Sequence, residues 1–166
     1  GDPALLFKSG DSVNLCLATD PAADPQRTQP APGDVRLLAT VVEDQPIVVL
    51  YEPVARPGAE KQPRTFSSPT GSLTFDCVQV LAEANVRHER REGGYRLVAS
   101  IPLADLQLSL ATGTSLRGDA GVLFSNPGGT ITTLRSFLFN KDTQITQDVP
   151  SEARLEPAKW GRLEVK

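Results

Sequence analysis

A short alternating run near the C-terminal end, residues 134–139, carries side chains that could recognise a ligand. Residues two apart on a β-strand project from the same face, so Arg135, Phe137 and Phe139 should stand in one row. The guanidinium would offer a fork of donors to hydroxyl groups or a uronic carboxylate, and the phenyl rings would form an apolar floor. The alternative is that both rings fill the core, in which case Arg135 needs a buried carboxylate partner.

Three further polar residues extend this predicted ligand surface. Asp119 and Asn126 flank the run of residues 121–124, which a glycine-rich turn joins to the Arg135 run. Asn140 projects away from Arg135 if the strand continues, and belongs to the surface only if the strand has already ended. We expect these residues and the Arg135 row to line one binding surface.

Carboxylate and amide side chains in the loops favour calcium over other metals. Asp142 and Asp148 lie in the polar stretch of residues 141–150 and are predicted as calcium ligands. The single histidine and two distant cysteines do not have the spacing of a zinc site. The alternative for the aspartates is ordinary turn formation, where Asp is favoured for its local hydrogen bonds.

Catalytic chemistry has little support in the sequence. His88 is the only histidine, and it lies between arginines on a predicted hairpin strand, where a solvated residue is expected instead of a catalytic base. The sequence contains no glycine-rich phosphate loop, so we expect no nucleotide cofactor. Twenty acidic residues make some pair of carboxylates inevitable, so a glycosidase pair cannot be inferred from their number. We predict that the chain is not an enzyme.

Charge and hydropathy narrow the class of partner. The formal net charge is -3 and the isoelectric point about 5.2, whereas nucleic-acid-binding domains usually present a basic face. The arginines around His88 are interrupted by glutamates, so we interpret them as a solvated hairpin and expect no nucleic acid. No run approaches the ~20 apolar residues of a membrane-spanning helix, and we expect no membrane span.

Cys16 and Cys77 are the two cysteines, and both lie in strand-like runs. They could be two half-buried small residues, or they could pair as a disulfide in an oxidising compartment. The sequence leaves both alternatives open.

Period-two alternation dominates the chain, and 14 prolines with 13 glycines indicate frequent turns. The alternating runs predict three hairpins, which pair residues 35–42 with 47–51, residues 85–90 with 95–101, and residues 121–124 with 131–139. Phe75 to Val78 also has the pattern of a strand. A last strand is expected at residues 163–165, and single helical turns at residues 102–106 and 151–155.

Three stretches are predicted loops, at residues 20–34, 53–63 and 141–150, and the first is expected to be mobile. Short strands separated by turns are typical of a β-sandwich, and 166 residues suit one domain with its own core. We predict an all-β, jelly-roll-like antiparallel β-sandwich over residues 1–166, with helix below about a fifth of the chain.

Short motifs spread over nearly the whole chain form a recognisable set. They are residues 7–13 (FKSGDSV), 95–106, 117–122 (RGDAGV), 126–130 (NPGGT), 140–143 (NKDT), 148–155 (DVPSEARL), Pro157 and the Trp160-Gly161 pair. In these motifs the chain resembles the family 9 carbohydrate-binding-module-like domains of the DOMON-like superfamily.

The resemblance implies a jelly-roll-like sandwich, an extracellular or cell-envelope location, residence in a larger multidomain protein, and carbohydrate binding, often with structural calcium. The sugar binders of the family clamp their ligand between two tryptophans, whereas this chain has only Trp160. A haem-binding branch uses methionine and histidine as iron ligands, and this chain has no methionine, so we expect no haem.

The family has further strands before the Gly10-Asp11 motif, whereas only nine residues precede it here. We therefore expect either a fragment or a sheet completed by another domain or chain, because an uncovered sheet edge invites pairing. The leading expectation is a non-catalytic carbohydrate-binding module whose partner is a polysaccharide or glycan. The alternative is a structural or assembly module that packs against other domains without binding sugar.

Overall fold

The computed structural model describes residues 2–166 and shows an all-β protein. Strands cover 45% of the chain and helices 9%, which confirms the predicted class and the low helix content. The strands of the described residues are β1 (Ser12–Ala18), β2 (Asp34–Val42), β3 (Gln45–Glu52), β4 (Arg64–Ser68), β5 (Gly71–Phe75), β6 (Cys77–Val80), β7 (Asn85–Arg91), β8 (Gly94–Ser100), β9 (Ser115–Ser125), β10 (Thr132–Phe137) and β11 (Gly161–Glu164). The helical segments are α1 (Val149–Ala153) and short 3-10 helices at Pro3–Leu5, Leu103–Leu106 and Pro157–Lys159.

One antiparallel sheet of seven strands organises the molecule. Its order is β10-β9-β1-β2-β3-β6, and β11 also pairs with β9. The long strand β9 uses its second half to pair with β10 and its first half to pair with β11. Two short strands therefore lie end to end along one edge of β9, with a break between them.

Each face of this sheet is covered by a two-stranded ribbon. On the first face, β4 and β5 contribute Phe66 and Phe75, which pack with Phe7 and Tyr51 in edge-to-face contacts. On the second face, β7 and β8 cover aliphatic side chains of β2 and β3 such as Val48. Successive side chains of each central strand point to opposite faces, so each strand contributes residues to both cores. The sandwich is therefore a large sheet between two ribbons, and the jelly-roll topology stays a prediction.

All three predicted hairpins are confirmed. The β2–β3 turn consists of Glu43 and Asp44, whose φ angles of 50° and 63° are those of the tight turn that matches strand twist. The β7–β8 turn uses Gly93 at φ 74°, a conformation that glycine adopts without steric cost. The third hairpin joins β9 to β10, as the alternation predicts.

The strand predicted across Phe75 to Val78 is interrupted in the structure. Asp76 separates β5 from β6, because its carboxylate accepts hydrogen bonds from the Ala55 amide at 3.0 Å and the Lys61 ammonium at 2.9 Å. The chain thereby leaves the first-face ribbon and enters the central sheet. A short alternating run cannot reveal such a change of sheet, because both halves keep the same period.

Both cysteines are buried and unpaired. Cys16 lies in β1 and Cys77 in β6, and two strands stand between them in the sheet. Three strand spacings amount to about 14 Å, whereas a disulfide requires Cα atoms within about 7 Å. The structure therefore favours the alternative of two buried thiols.

The loop of residues 20–34 is anchored through Arg27 and through Gly33, whose carbonyl accepts from the Thr19 amide at 2.8 Å. Arg27 donates to the buried Asp34 carboxylate from Nε at 2.8 Å, and its guanidinium lies 5.9 Å from the centre of the Trp160 ring. The mobility of the remaining loop stays a prediction. Within residues 2–166, no helix is both long and apolar enough to cross a membrane.

Candidate functional site

A cavity of about 270 Å³ opens on the first face of the sheet, beside the break between β10 and β11. Its walls include Arg36, Asp119, Arg135, Phe137, Asn140, Asp142, Thr143, Gln144, Glu152, Arg154, Leu155, Glu156, Lys159 and Trp160, and we call it the edge cavity. Small-molecule sites usually measure about 300–1,000 Å³, so the edge cavity is slightly smaller than this range and suits a single small ring. Five of the eight residues predicted as ligand or metal contacts line it: Asp119, Arg135, Phe137, Asn140 and Asp142.

The edge cavity exists because the chain leaves the sheet after β10 and returns to it at β11. Asp119 lies in β9 opposite this break and is 1% exposed. Its two carboxylate oxygens accept the backbone N–H groups of Phe139 at 2.9 Å and Asn140 at 2.8 Å. Asp119 therefore holds the departing chain in place, and its acceptors are directed at the backbone.

Arg135 lines the edge cavity together with Phe137, but its Nη2 donor is used within the protein. Its Nη2 donates to the Phe7 carbonyl at 2.6 Å and also bonds the Glu152 carboxylate. Burial lowers the pKa of the Arg135 guanidinium, and the neighbouring Glu152 carboxylate partly offsets this effect. The buried carboxylate partner expected in the core interpretation is thus present.

Glu152 of α1 organises the wall of the cavity, and the sequence analysis did not identify it. Its side chain is fully buried. Besides Arg135, it accepts hydrogen bonds from Lys8 Nζ at 3.1 Å and from the backbone amides of Thr146 and Gln147 at 3.2 and 2.8 Å. No local pattern reveals this role, because Lys8 is 144 positions away in the chain.

Arg36 of β2 is a second residue that the sequence analysis missed. It is 6% exposed and donates to the backbone carbonyls of Glu152 at 3.3 Å, Ala153 at 3.1 Å and Arg154 at 3.5 Å. The last carbonyls of a helix have no partner within the helix, and a cation there is favourable. One sequence signal could have identified it, because Arg36 is a charged residue within the apolar run that forms β2.

The aromatic floor differs from the predicted row. Phe137 and Trp160 line the edge cavity, and Trp160 is 4% exposed, as expected of a residue that closes the core. Phe139 lies beyond the end of β10, is 38% exposed, and covers the backbone of Gly161 outside the cavity. The strand ends at Phe137, so the two-residue period no longer applies to Phe139.

The rim of the edge cavity is polar. Within residues 2–166, the side chains of Thr143, Gln144 and Arg154 make no hydrogen bond or ion pair with the protein. Lys159 pairs with Asp142 at 3.5 Å and with a glutamate on its own 3-10 turn. Free hydroxyl, amide and guanidinium groups beside an aromatic floor can bind a polar ring.

Asn126 lies away from the edge cavity. Its side-chain oxygen accepts the backbone N–H groups of Thr130 at 2.9 Å and Ile131 at 3.2 Å, which closes the β9–β10 turn. This is the local hydrogen bonding for which turns favour asparagine.

Asp148 is placed as the N-cap of α1. It accepts from the Ser151 amide at 3.1 Å and the Thr70 hydroxyl at 2.8 Å. The hydroxyls of Ser151, Ser68 and Thr70 hold the pKa of Asp148 well below its usual range. The carboxylate is therefore stabilised as a cap.

The described residues do not assemble a calcium site. Among residues 2–166, no three His, Cys, Asp or Glu side chains are grouped to hold a metal ion. Asp142 has a side chain that is 80% exposed and paired with Lys159, and Asp148 is engaged by its own helix. These donors do not fit a calcium ion as they stand, and calcium binding stays a prediction that a thermal shift with calcium would test.

Comparison with protein-family models, with curated proteins and with solved structures gave no match to this chain. The resemblance to family 9 carbohydrate-binding-module-like domains therefore stays a prediction.

Proposed function

We propose that this chain is a non-catalytic carbohydrate-binding module that holds one sugar residue in the edge cavity. The observation that carries the proposal is the combination of an aromatic floor, Phe137 and Trp160, with a rim of unpaired polar side chains. An aromatic surface suits the apolar face of a sugar ring, and amides and hydroxyls suit its hydroxyl groups.

Binding without catalysis is supported by the state of the buried carboxylates. Asp119 accepts hydrogen bonds from two backbone amides, and Glu152 accepts from one guanidinium, one ammonium and two backbone amides. A glycosidase needs one carboxyl group free to protonate the leaving oxygen and a second to act as base or nucleophile. Because Asp119 and Glu152 are occupied by these bonds, we assign them a structural role in the wall of the cavity.

The proposal is tested by glycan-array binding, followed by calorimetry on the glycans that bind. Gln144→Ala should weaken binding about fivefold, because one hydrogen bond contributes about 1 kcal/mol. Gln45→Ala is the matched control, since Gln45 is exposed at the start of β3 and does not line the cavity. Absence of any bound glycan, or equal effects of the two substitutions, would contradict the proposal.

A second candidate, an assembly module, is favoured by an apolar stripe on the second face. Phe124 and Leu134 are direct neighbours across β9 and β10 and are 39% and 53% exposed, and Leu138 is 56% exposed. The stripe borders β10, whose outer edge is unpaired among the described strands. An exposed apolar surface beside an open edge is a typical association surface.

Light scattering over a range of protein concentrations tests the assembly candidate. If the stripe mediates self-association, the average mass should rise with concentration, and Leu134→Lys should keep the protein monomeric because a charge opposes both burial and edge pairing. Gln45→Lys, at an exposed position of β3 away from this edge strand, is the control. A constant monomer mass with an intact glycan affinity would favour the carbohydrate-binding proposal.

A further inference from the structure

The edge cavity contains two arginines whose donors are not all used. Arg36 is 6% exposed and has no carboxylate partner among the described residues. The Nε–H groups of Arg36 and Arg135 are both buried, and neither has an acceptor in the described part of the chain. Buried donors without a partner are rare in folded proteins, so these two N–H groups are available to an acceptor.

The buried charges around the cavity are not paired one to one. Arg36 and Arg135 are the buried cations that line it and Asp119 and Glu152 the buried carboxylates, while Lys8, outside the lining, also pairs with Glu152. Glu152 is shared between Lys8 and Arg135, and Asp119 is directed at backbone amides. Burial, and to a smaller degree the nearby Arg36, lowers the pKa of Arg135, as expected where cations crowd together.

Arg154 adds a positive charge at the mouth of this interior. Its side chain is exposed and unpaired within residues 2–166, and its backbone carbonyl accepts from Arg36 Nη2 at 3.5 Å. It lines the edge cavity and also a second cavity of about 300 Å³, which Leu73 and Phe75 bound on the side of the β4–β5 ribbon. Arg154 is therefore the common wall of two adjoining cavities.

A second group of charged residues on the lining is net negative. Asp142 and Glu156 share the single cation Lys159, and Asn140 donates to Glu156 at 2.9 Å. A ligand with one anionic group thus has a defined orientation in the cavity. We expect its anionic end to lie beside Arg154 and Arg36, and its hydroxyl groups to lie beside Asn140, Thr143 and Gln144.

We propose that the ligand of the edge cavity carries a carboxylate, as a uronic sugar does, and that Arg154 binds it above the buried charge of Arg36. This inference rests on the proposed carbohydrate-binding function and narrows its substrate class. A guanidinium matches the planar carboxylate with two parallel hydrogen bonds. Arg154 is exposed and can reach the ligand without disturbing the core, and Arg36, which has no carboxylate partner among the described residues, stabilises the bound anion through its positive charge.

The test compares acidic and neutral sugars that share one ring. Calorimetry with galacturonate and glucuronate, against galactose and glucose, should give at least about tenfold tighter binding of the acids, the effect of one charge-assisted hydrogen bond. Arg154→Gln should remove most of this preference, and added salt should reduce it. The control is Arg162→Gln, since Arg162 is an exposed arginine of β11 paired with Glu164.

The outcomes separate the inference from the proposed function. Equal binding of acidic and neutral sugars would overturn the inference and leave the carbohydrate-binding proposal in place. Binding of neither class, on the array or in solution, would overturn both. An acid preference that Arg154→Gln and Arg162→Gln change to the same extent would place the carboxylate elsewhere and also overturn the inference. Unchanged melting temperatures of both variants establish that folding is not the cause.

Discussion

Glu152→Gln is expected to destabilise the protein by roughly 3–5 kcal/mol, the usual effect of removing one partner of a buried ion pair. The substitution keeps the shape of the side chain but leaves Arg135 buried without a carboxylate. Lys8 loses its partner as well, and the amide group cannot accept from all four donors that now meet the carboxylate. Urea denaturation of both proteins measures the difference in the free energy of unfolding.

Glu164→Gln is the matched control for this prediction. Glu164 pairs with Arg162 at 3.2 Å, but the two side chains are 59% and 68% exposed. An exposed pair contributes at most about 1 kcal/mol. Equal destabilisation by the two substitutions would mean that burial of the Glu152 network adds nothing to stability.

Gly118→Ala is expected to cost about 1–3 kcal/mol, the usual range for overpacking a well-packed site. A Cβ atom at Gly118 would lie 2.5 Å from the carbonyl oxygen of Cys16 and 2.7 Å from Leu163 Cδ1. The carbonyl belongs to β1 in the centre of the sheet, so it cannot move without disturbing the ladder. Thermal and urea unfolding should both register the loss.

Gly94→Ala provides the comparison, because a Cβ at Gly94 would meet nothing within 4 Å. Gly94 also lies in a strand, at the start of β8, so both substitutions replace a strand glycine. We expect a change within about 0.5 kcal/mol, as for most surface substitutions. A similar loss in both variants would contradict the assignment of the loss to the clash at Gly118.

The hairpins were predictable because their signals are local. The β7–β8 pair combines alternation with a Gly93-Gly94 turn, and the β2–β3 pair has two β-branched runs around a short polar turn. The arrangement of the ribbons on the two faces was not predictable in this way. It depends on contacts between distant parts of the chain, such as Phe7 with Phe66 at 5.2 Å between ring centres.

The candidate site was predicted in part for the same reason. The row of Arg135 and Phe137 follows from strand period, and both residues line the edge cavity. The roles of Arg36 and Glu152 come from pairing across more than a hundred positions, which leaves no pattern in either segment. The prediction for Phe139 depended on where β10 ends, and Asp119 determines that end from another strand.

The break between β10 and β11 makes the segment that connects these two strands modular. Leu138 still bonds Ala120 of β9, and Gly161 pairs with Gly118, so the chain departs and returns about 7 Å apart on one strand. A loop of different length could be inserted between these two anchor points without altering the sheet register. A graft that also replaces α1 must supply a buried carboxylate in place of Glu152. Without it, Lys8 and Arg135 would be left without a counterion. Loop libraries built on this edge should therefore diversify residues 140–146 and keep α1 fixed.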